Sequence, residues 1–351
     1  MDVNKNAFLT KDKIKGLVDS TAKEQNLYSI NQNDILITRT SETKKEIAYS
    51  SCLVENIDNC VFSGFLLRAR PVDNVFINPI FMVYLLRSQS YRNKLIKIST
   101  ETSRALINSK NLGSIKIKIP TKTLQAKISD ILLKIDTRIE CQSKIIEHYE
   151  SLINSIIDLK IYNSNNNRET LKTYASLKNG YAFKSDNYNK NGKYKIVTIG
   201  NVTGDQYISD NTNNIDKIPF DIQRHQILKK NDILVSLTGN VGRVSMVNSD
   251  NCLLNQRVGL IQINNIEFRN YIYVVLSSHI FEREMVNKSQ GAAQLNIGKN
   301  DVENYKMPKP TKTNLEISEL IFKYLTKLSI EKRILKLFKD EKKYLLSNLF
   351  I

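Results

Sequence analysis

Asp34, Glu42 and Lys44 are the first residues of the chain whose types and spacing could support catalysis. They stand in the order Asp…Glu-x-Lys, in which carboxylates can hold Mg²⁺ for phosphodiester hydrolysis. Asp232 stands in a second Asn-Asp-Ile-Leu tetrapeptide like that of Asp34, but no Glu-x-Lys follows it. A role for Asp34 in the tight turn that enters a strand is therefore favoured. A stand-alone nuclease that uses Asp34, Glu42 and Lys44 is the alternative.

Other stretches suggest enzymes but lack residues that the chemistry needs. Residues 78–81 (NPIF) are similar to the Asn-Pro-Pro-aromatic loop of adenine methyltransferases, but the second proline is missing and no G-x-G loop accompanies them. Residues 291–300 fail as a phosphate-binding loop because six residues separate the glycines and Asn300 follows the lysine. The histidines are scattered. We therefore predict no catalytic residues and no metal site.

The composition favours a nucleic-acid partner. The chain has 351 residues, 41% of them hydrophobic, and a net charge of +17. This length allows two domains of ordinary size, and the charge excess is best relieved by a polyanion such as DNA, with an anionic membrane as the second candidate. The four cysteines form no C-x-x-C pair, and no apolar run reaches the length of a membrane span. We expect a cytoplasmic protein with no membrane contact.

Polar loops supply the candidate DNA-binding residues. Arginine can bind a guanine edge, asparagine and glutamine an adenine edge, and lysine a phosphate. For each residue taken singly, an ordinary solvated side chain remains an equal alternative. The candidates are Arg39, Thr40, Ser41, Lys44, Lys45 and Arg104 in the first half, and Lys184, Thr238, Asn240, Arg243, Arg257, Gln290 and Gln294 in the second half.

Repeated tetrapeptides indicate an internal duplication that would position these loops. Asn-Asp-Ile-Leu occurs at 33–36 and 231–234, and Pro-Thr-Lys-Thr occurs at 120–123 and 310–313, in the same order. Each half reads as strands, turns and amphipathic helices at 81–95 and 271–286, followed by a long helix. The first half lacks a counterpart to LKNGYAFKSDNY (residues 177–188).

The long helices have the heptad pattern of a coiled coil. In the first, Leu132, Ile146 and Ile153 fall at multiples of seven residues, and neither proline nor glycine interrupts them. The second is less regular because Glu331 and Lys342 interrupt its apolar positions. Because each helix needs a partner of similar length, we predict an antiparallel pair.

These features predict an α+β fold with two duplicated mixed α/β DNA-recognition domains, separated by a pair of long antiparallel coiled-coil helices. The second domain should begin after the polar, asparagine-rich stretch that follows the first long helix. The predicted segments are a first recognition domain at 1–122, a first spacer helix at 123–160, a linker at 161–170, a second recognition domain at 171–312 and a second spacer helix at 313–351.

The order of these motifs resembles the specificity subunit of type I restriction-modification systems. In the second half the resemblance rests on LKNGYAFKSDNY, IVTIGNV, NDILVSLTGNVGRVSMV, LLNQRVGL and GAAQLNIGKNDVENYKMPKP. In the first half it rests on NDILITRTSETKKEIAYSS, GFLLRARP, FMVYLLRSQSYR and LGSIKIKIPTKT. The short N-terminal part departs from the family pattern.

The resemblance implies a non-catalytic subunit that reads a bipartite DNA target through two target-recognition domains. It also implies partners, namely double-stranded DNA, two methylation subunits and motor-nuclease restriction subunits. No cofactor is expected in this chain, because S-adenosylmethionine, ATP and Mg²⁺ would bind the partner subunits. Besides the nuclease, a coiled-coil adaptor without DNA specificity is the remaining alternative.

Overall fold

The computed structural model of the chain describes residues 2–72, 76–101, 103–163, 167–289 and 295–350. It divides into two compact units, residues 1–141 with 335–351 and residues 142–334. This division cuts both long helices, so each unit contains one mixed α/β region and part of each helix. We call the α/β regions the first domain and the second domain.

In the described residues the first domain contains five short α-helices, one 3-10 helix (Lys11–Lys13) and seven strands. A four-stranded sheet has the order β1-β4-β2-β5, and a three-stranded sheet has the order β3-β7-β6. The strands are β1 (Phe8–Leu9), β2 (Ile35–Thr38), β3 (Thr40–Ser41), β4 (Ser50–Leu53), β5 (Leu66–Ala69), β6 (Thr100–Glu101) and β7 (Ala105–Leu106). The helices are α1 (Asp2–Lys5), α2 (Ala22–Tyr28), α3 (Pro79–Arg87), α4 (Gln89–Ile98) and α5 (Ser109–Gly113).

After the long helix α6 (Lys122–Ile156), the described part of the second domain contains two four-stranded sheets and a strand pair. Their orders are β11-β10-β15-β12, β14-β13-β16-β9 and β17-β8. The strands are β8 (Arg168–Thr170), β9 (Ala175–Asn179), β10 (Tyr194–Val197), β11 (Asn213–Ile215), β12 (Ile227–Leu228), β13 (Ile233–Ser236), β14 (Val244–Met246), β15 (Cys252–Leu254), β16 (Val258–Ile263) and β17 (Lys306–Pro308). The helices are α7 (Arg269–Leu276), α8 (His279–Lys288) and α9 (Lys299–Glu303), and the long helix α10 (Lys312–Asn348) follows.

The central strand has the same hydrogen-bonded neighbours in both domains. In the first domain β2 pairs antiparallel with β4 and β5, so that Ile35 faces Cys52 on one side and Ala69 on the other. In the second domain β13 pairs antiparallel with β14 and β16, and Ile233 takes the place of Ile35. The predicted duplication is therefore confirmed by strand topology.

The repeated tetrapeptide forms the turn that starts this strand. Asn33 and Asn231 have positive φ values of 75° and 71°, a left-handed conformation that asparagine tolerates better than most residues. The carboxylate of Asp34 accepts a hydrogen bond from the N–H of Asn31 at 2.8 Å, and that of Asp232 accepts one from Lys229 at 2.7 Å. The conformation of this turn accounts for the identity of the two tetrapeptides.

The core of each domain is built on this central strand. Ile35 and Ile37 pack in one buried cluster with Phe81 and Val83 of α3. In the second domain Leu234 packs in a buried cluster with Val197 of β10 and other apolar side chains. The expected helices at 81–95 and 271–286 are each broken in two, because Ser88 and Ser278 have extended backbones. Each serine stands at the N-cap position of the helix that follows it, α4 or α8.

Within each unit the two long helices pack antiparallel. In the second unit Gln142 contacts Glu331 and Tyr149 lies 6.4 Å from Tyr324, measured between ring centroids. In the first unit Asp136 forms an ion pair with Lys342, and the guanidinium of Arg138 lies 5.9 Å from the ring of Phe338. Partner numbers fall as α6 numbers rise, as an antiparallel pair requires.

The two irregular positions of the second helix have polar partners on the first. Glu331 is buried and accepts a 2.6 Å hydrogen bond from Nε2 of Gln142, and this bond, with that from Lys327, holds the pKa of Glu331 below its ordinary value. Lys342 contacts Asp136, which also accepts a 2.8 Å bond from the Tyr84 hydroxyl. Polar pairs in an apolar seam specify the register of a coiled coil.

The linker predicted at 161–170 differs in the structure. The first long helix continues as a π-helix from Ile157 to Tyr162, and residues 168–170 form β8, which pairs with β17. The reason is the buried ring of Tyr162, whose hydroxyl lies 2.6 Å from that of Tyr305 and 3.1 Å from Oγ of Ser278. Among the described residues, none of the helices combines the length and the hydrophobicity that a membrane-spanning segment needs.

Candidate nucleic-acid interface

Four segments of the second domain meet at one end of its central sheet. The N–H of Leu237 donates to the carbonyl of Arg257 at 3.1 Å, and the N–H of Gly239 donates to that of Leu295 at 3.0 Å. The N–H of Gln256 donates to the carbonyl of Tyr181, just beyond β9, at 2.9 Å. Backbone hydrogen bonds therefore fix the loop after β13, the turn before β16, the segment at 295–297 and the exit of β9 next to each other.

The first domain repeats three of these four segments. The N–H of Arg39 donates to the carbonyl of Phe65 at 2.8 Å, and Thr40 pairs with Leu106 across a short ladder. In the second domain Thr238 pairs with Asn296 in the same way. Thr40 and Thr238 are therefore equivalent, as are Arg39 and Leu237, and Phe65 and Arg257.

In each domain, one residue of the backbone-bonded pair (Arg39 with Phe65, or Leu237 with Arg257) is an arginine. The arginine is the first member of the pair in the first domain and the second member in the second domain. In the first domain the arginine is Arg39, on the loop after β2, and its exposed neighbour is Phe65. In the second domain the arginine is Arg257, on the turn before β16, and its neighbour Leu237 is buried. Both guanidinium groups are exposed and can reach a ligand outside the domain.

Arg243 differs from these two arginines because it has an acidic partner. Its Nε lies 3.4 Å from a carboxylate oxygen of Glu282 on α8, and its side chain is 38% exposed. At the equivalent place in the first domain, Tyr49 lies under the guanidinium of Arg92 on α4, 4.3 Å from the ring centroid. The loop after the central strand is thus attached to equivalent helices, by an ion pair to α8 in the second domain and by a cation–π contact to α4 in the first. Arg243 therefore has a structural contact of its own.

The loop after the central strand is longer in the first domain, and its polar residues are partly engaged. Lys44 forms an ion pair with Glu101 at 3.4 Å. Ser41 is buried and its hydroxyl donates to Glu46 at 3.3 Å, which makes it a poor candidate for contact with a base. Lys45 is exposed, although its carbonyl accepts a 2.8 Å bond from Arg92.

The remaining candidates have different surroundings. Asn240 and Lys184 are exposed in the second domain, and Arg104 is exposed in the first. The hydroxyl oxygen of Thr238 is buried, and it has no hydrogen-bond partner among the described residues. Gln290 and Gln294 lie outside the described residues, although Gln294 precedes Leu295 in sequence as Arg104 precedes the equivalent Ala105.

Gly242 closes the loop of the second domain against α8. Its φ is +78°, and a Cβ atom there would lie 2.7 Å from Cβ of Met285. Ala48, at the equivalent position of the first domain, also has a positive φ, of 56°. Both loops therefore reverse direction through a left-handed residue, which suits glycine best.

Three aromatic side chains that the sequence did not point to lie near the exit of β9: Tyr181 and Phe183, which are partly buried, and Phe220, which is exposed. Tyr181 and Phe183 pack with ring centroids 4.9 Å apart. Phe220 is fully exposed, and its neighbour Asp221 accepts a 2.9 Å hydrogen bond from the Tyr181 hydroxyl. Aromatic faces of this kind can stack on unpaired bases. An alignment of the two halves would have indicated Phe65 as well, since it replaces Arg257.

The acidic residues that suggested a nuclease are not arranged for metal binding. The buried carboxylate of Asp34 accepts two hydrogen bonds from the guanidinium of Arg70, at 2.7 and 2.6 Å. Glu42 is exposed, and Lys44 pairs with Glu101. In the part of the chain that the structure describes, no cluster of three or more metal-ligating side chains is found. Asp34 stabilises its turn, as the sequence indicated.

Two solved structures share the fold of this chain. One is a crystal structure of the type-I restriction-modification system S subunit from M. genitalium, with a TM-score of 0.66 at 16% sequence identity, covering 92% of this chain and 84% of that one. The other is a structure that addresses complex assembly and conformational transition of the type I R-M system, with a TM-score of 0.52 at 14% identity, covering 92% and 82%.

The sequence matches the family described as the type I restriction modification DNA specificity domain, over residues 2–150 and 164–339. The chain belongs to this family. Type I specificity subunits are the non-catalytic, DNA-recognising components of their enzymes, and this chain is one of them. Its two copies of the specificity domain correspond to the two α/β domains described above.

Asp34 and Asp232 offer a matched test of the turn in the two domains of this specificity subunit. Burial raises the pKa of Asp34, but hydrogen bonds from Arg70 and the Asn31 N–H lower it by more, so that it lies below the ordinary value. Burial raises the pKa of Asp232. Asp34→Asn should cost about 1–3 kcal/mol at pH 7, because the amide would place a donor against the guanidinium. Asp232→Asn should change stability by about 0.5 kcal/mol or less.

The cost of Asp34→Asn should shrink in acid. The ionised form of Asp34 stabilises the fold above its unfolded pKa of about 4, and this stabilisation is lost as pH falls through the lowered folded pKa. Thermal unfolding followed by circular dichroism between pH 7 and pH 3 measures both variants. Equal losses for the two variants at pH 7 would contradict the role assigned to Arg70.

Proposed function

We propose that this specificity subunit reads a bipartite DNA target, with one half-sequence contacted by each domain. The observation that carries the proposal is the equivalence of the loops after β2 and β13. Both loops are fixed by the same backbone hydrogen bonds, yet they present different side chains, Arg39 with Phe65 in one and Leu237 with Arg257 in the other. A duplicated scaffold with divergent exposed residues fits the reading of two different half-sequences.

The charge of the chain supports binding to the DNA backbone. The net charge of +17 predicts affinity that falls steeply with salt, because neutralised phosphates release their counterions. Among the candidates, exposed Lys45 and Lys184 suit phosphate contact, and exposed Arg39, Arg104 and Arg257 suit the edge of a guanine. Arg243 holds the loop to α8 through Glu282 and contributes less directly.

The long helices support a role in assembly as well as in spacing. On α6, Leu124, Ile131, Ile145 and Leu152 are exposed, and they fall at multiples of seven residues. They are distinct from the buried apolar positions of the same helix, such as Leu132 and Ile146. A second apolar series at heptad spacing lets a helix pack on another partner. We infer that the helices of two methylation subunits bind there.

The enzymatic steps then belong to other subunits. Methylation subunits would bind S-adenosylmethionine and modify the target, and motor-nuclease subunits would use ATP and Mg²⁺ to cleave unmodified DNA. In this proposal the specificity subunit contributes only the DNA contacts and the docking helices. Its own residues provide positioning, and no step of the chemistry passes through them.

Selection of bound sequences from a random DNA library tests whether each domain reads its own half-sequence. Arg39→Ala should relax the preference at one base position in one half-sequence, and Arg257→Ala should do so in the other half-sequence. Loss of a specific arginine contact should reduce discrimination by about 1–3 kcal/mol at that position. Arg283→Ala, which removes an exposed arginine from α8, is the control and should leave both half-sequences unchanged. Changes in the same half-sequence for both variants would refute the proposal.

A second prediction concerns the exposed heptad series on α6. Replacing Ile145 and Leu152 together by serine should weaken binding of the methylation subunits by about tenfold or more, since each large apolar side chain contributes about 1.5–3 kcal/mol when buried. The thermal midpoint of the isolated chain should hardly change because both side chains are exposed. Biolayer interferometry measures the binding, and Asn154→Ser, an exposed position on the same helix, is the control. Unchanged binding of the double variant would place the docking surface elsewhere.

A further inference from the structure

A basic groove of the second domain lies outside the loops described above. It has a volume of about 650 Å³ and borders β9, β16 and the segment that leads into β13. Asp232 is the acidic residue among the described residues that line it. The basic residues that line it are Lys178, Arg224, His225, Lys229, Lys230 and Arg269.

Acidic side chains do not neutralise these cations. The carboxylate of Asp232 accepts a hydrogen bond from the backbone N–H of Lys229 at 2.7 Å, so it serves the turn. Nε of Arg269 has no hydrogen-bond partner among the described residues. Lys178, Arg224, Lys230 and Arg269 also form no ion pair with a described residue. The groove therefore has a local excess of positive charge, which a polyanion would relieve.

The first domain has the same turn without the two lysines. Asn31 and Gln32 occupy the positions of Lys229 and Lys230, because the N–H groups of Asn31 and Lys229 bond to the equivalent aspartates. The conformation of the turn therefore does not require lysine. The positive charge at this place is a feature of the second domain and needs an explanation other than the fold.

The charge balance beside the turn differs in the same sense. In the first domain the guanidinium of Arg70 is held by Asp34 through two hydrogen bonds. In the second domain Gln262 stands in the place of Arg70, since Ala69 and Ile261 pair with equivalent residues of the central strand. The first domain thus engages its cation internally, whereas the cations of the second domain remain available to a ligand.

The groove begins beside the candidate nucleic-acid interface. Nε2 of His225 lies 3.1 Å from the carbonyl oxygen of Asn179, the last residue of β9, and the exit of β9 is part of that interface. β16 lines the groove from Leu260 to Ile263, a length of about 10 Å at ~3.3 Å per residue. One strand of DNA carries a phosphate every ~3.4 Å of helix axis, so about three phosphates match this length.

We propose that this groove binds the phosphate backbone of DNA next to the half-sequence that the second domain contacts. Lysine and arginine bind phosphate oxygens whatever the base, so the groove contributes affinity and fixes the position of the domain on the duplex. An acidic segment of a partner protein would satisfy the same charges, but the continuity of the groove with the interface favours DNA. This proposal rests on the proposed function, because it requires that the chain binds DNA.

The salt dependence of DNA binding by the full chain tests the groove. The logarithm of the binding constant falls linearly with the logarithm of salt concentration, with a slope of about −0.9 per neutralised phosphate. Lys229→Ala combined with Lys230→Ala should make this slope shallower by about 0.9 to 1.8 and should lower affinity about tenfold at ~0.1 M salt. Lys229→Arg combined with Lys230→Arg should preserve both. Fluorescence anisotropy with a labelled duplex of any sequence measures the binding.

Lys339→Ala combined with Lys343→Ala is the matched control, because it removes the same charge from exposed positions of α10. The control should leave the slope unchanged. An unchanged slope for the groove variant, or an equal change in the control, would overturn the proposal. So would a groove variant that binds DNA normally but loses a methylation or motor-nuclease subunit, since the occupant would then be an acidic protein surface.

Hydroxyl-radical footprinting on a duplex that contains the target locates the contact. The wild-type chain should protect a few backbone positions next to one half-sequence, and the groove variant should lose this protection while both half-sequences stay protected. Equal loss beside both half-sequences would contradict a contact made by the second domain. Because the salt slope is measured on DNA of any sequence, its failure removes the groove alone, whereas the base preferences of the Arg39 and Arg257 variants test the proposed function separately.

Discussion

The hydrogen-bonded register of the central strand determines the arrangement of both domains. β2 and β13 are each paired on both sides, and each begins at a left-handed asparagine followed by a capping aspartate. A slip of one residue would send every buried side chain to the opposite face of the sheet. Because the loop after the strand is bonded to the same neighbours, its position follows from that register.

The two domains differ mainly in the side chains of the loops next to the central strand, whose backbone hydrogen bonds are the same in both. The exposed arginine is Arg39, on the loop after the central strand, in the first domain, and Arg257, on the neighbouring turn, in the second domain. The contact that attaches the loop to its helix changes from Tyr49 with Arg92 to Arg243 with Glu282. A fixed backbone with exchangeable exposed residues allows two domains of one origin to meet different DNA sequences.

Sequence alone predicted the elements that depend on backbone conformation. The repeated tetrapeptides could be recognised in the sequence because the turn needs a residue that tolerates a left-handed backbone, followed by a carboxylate that caps the turn. Few residue types meet either requirement. The long helices were visible through their heptads. The pairing of Glu331 with Gln142 and of Lys342 with Asp136 was not visible, since it depends on which positions of two distant helices face each other. The contact of Arg243 with Glu282 was also not predicted, because it joins segments far apart in sequence.

In our proposal the two domains together define one bipartite DNA target. Sequencing of methylated adenine in host DNA, with the gene for this chain present and then deleted, tests it most directly. We expect one methylated motif made of two specified half-sequences separated by an unspecified gap, and this motif should disappear on deletion. A single uninterrupted motif, or methylation that is unchanged by deletion, would show that the two domains do not read one bipartite target.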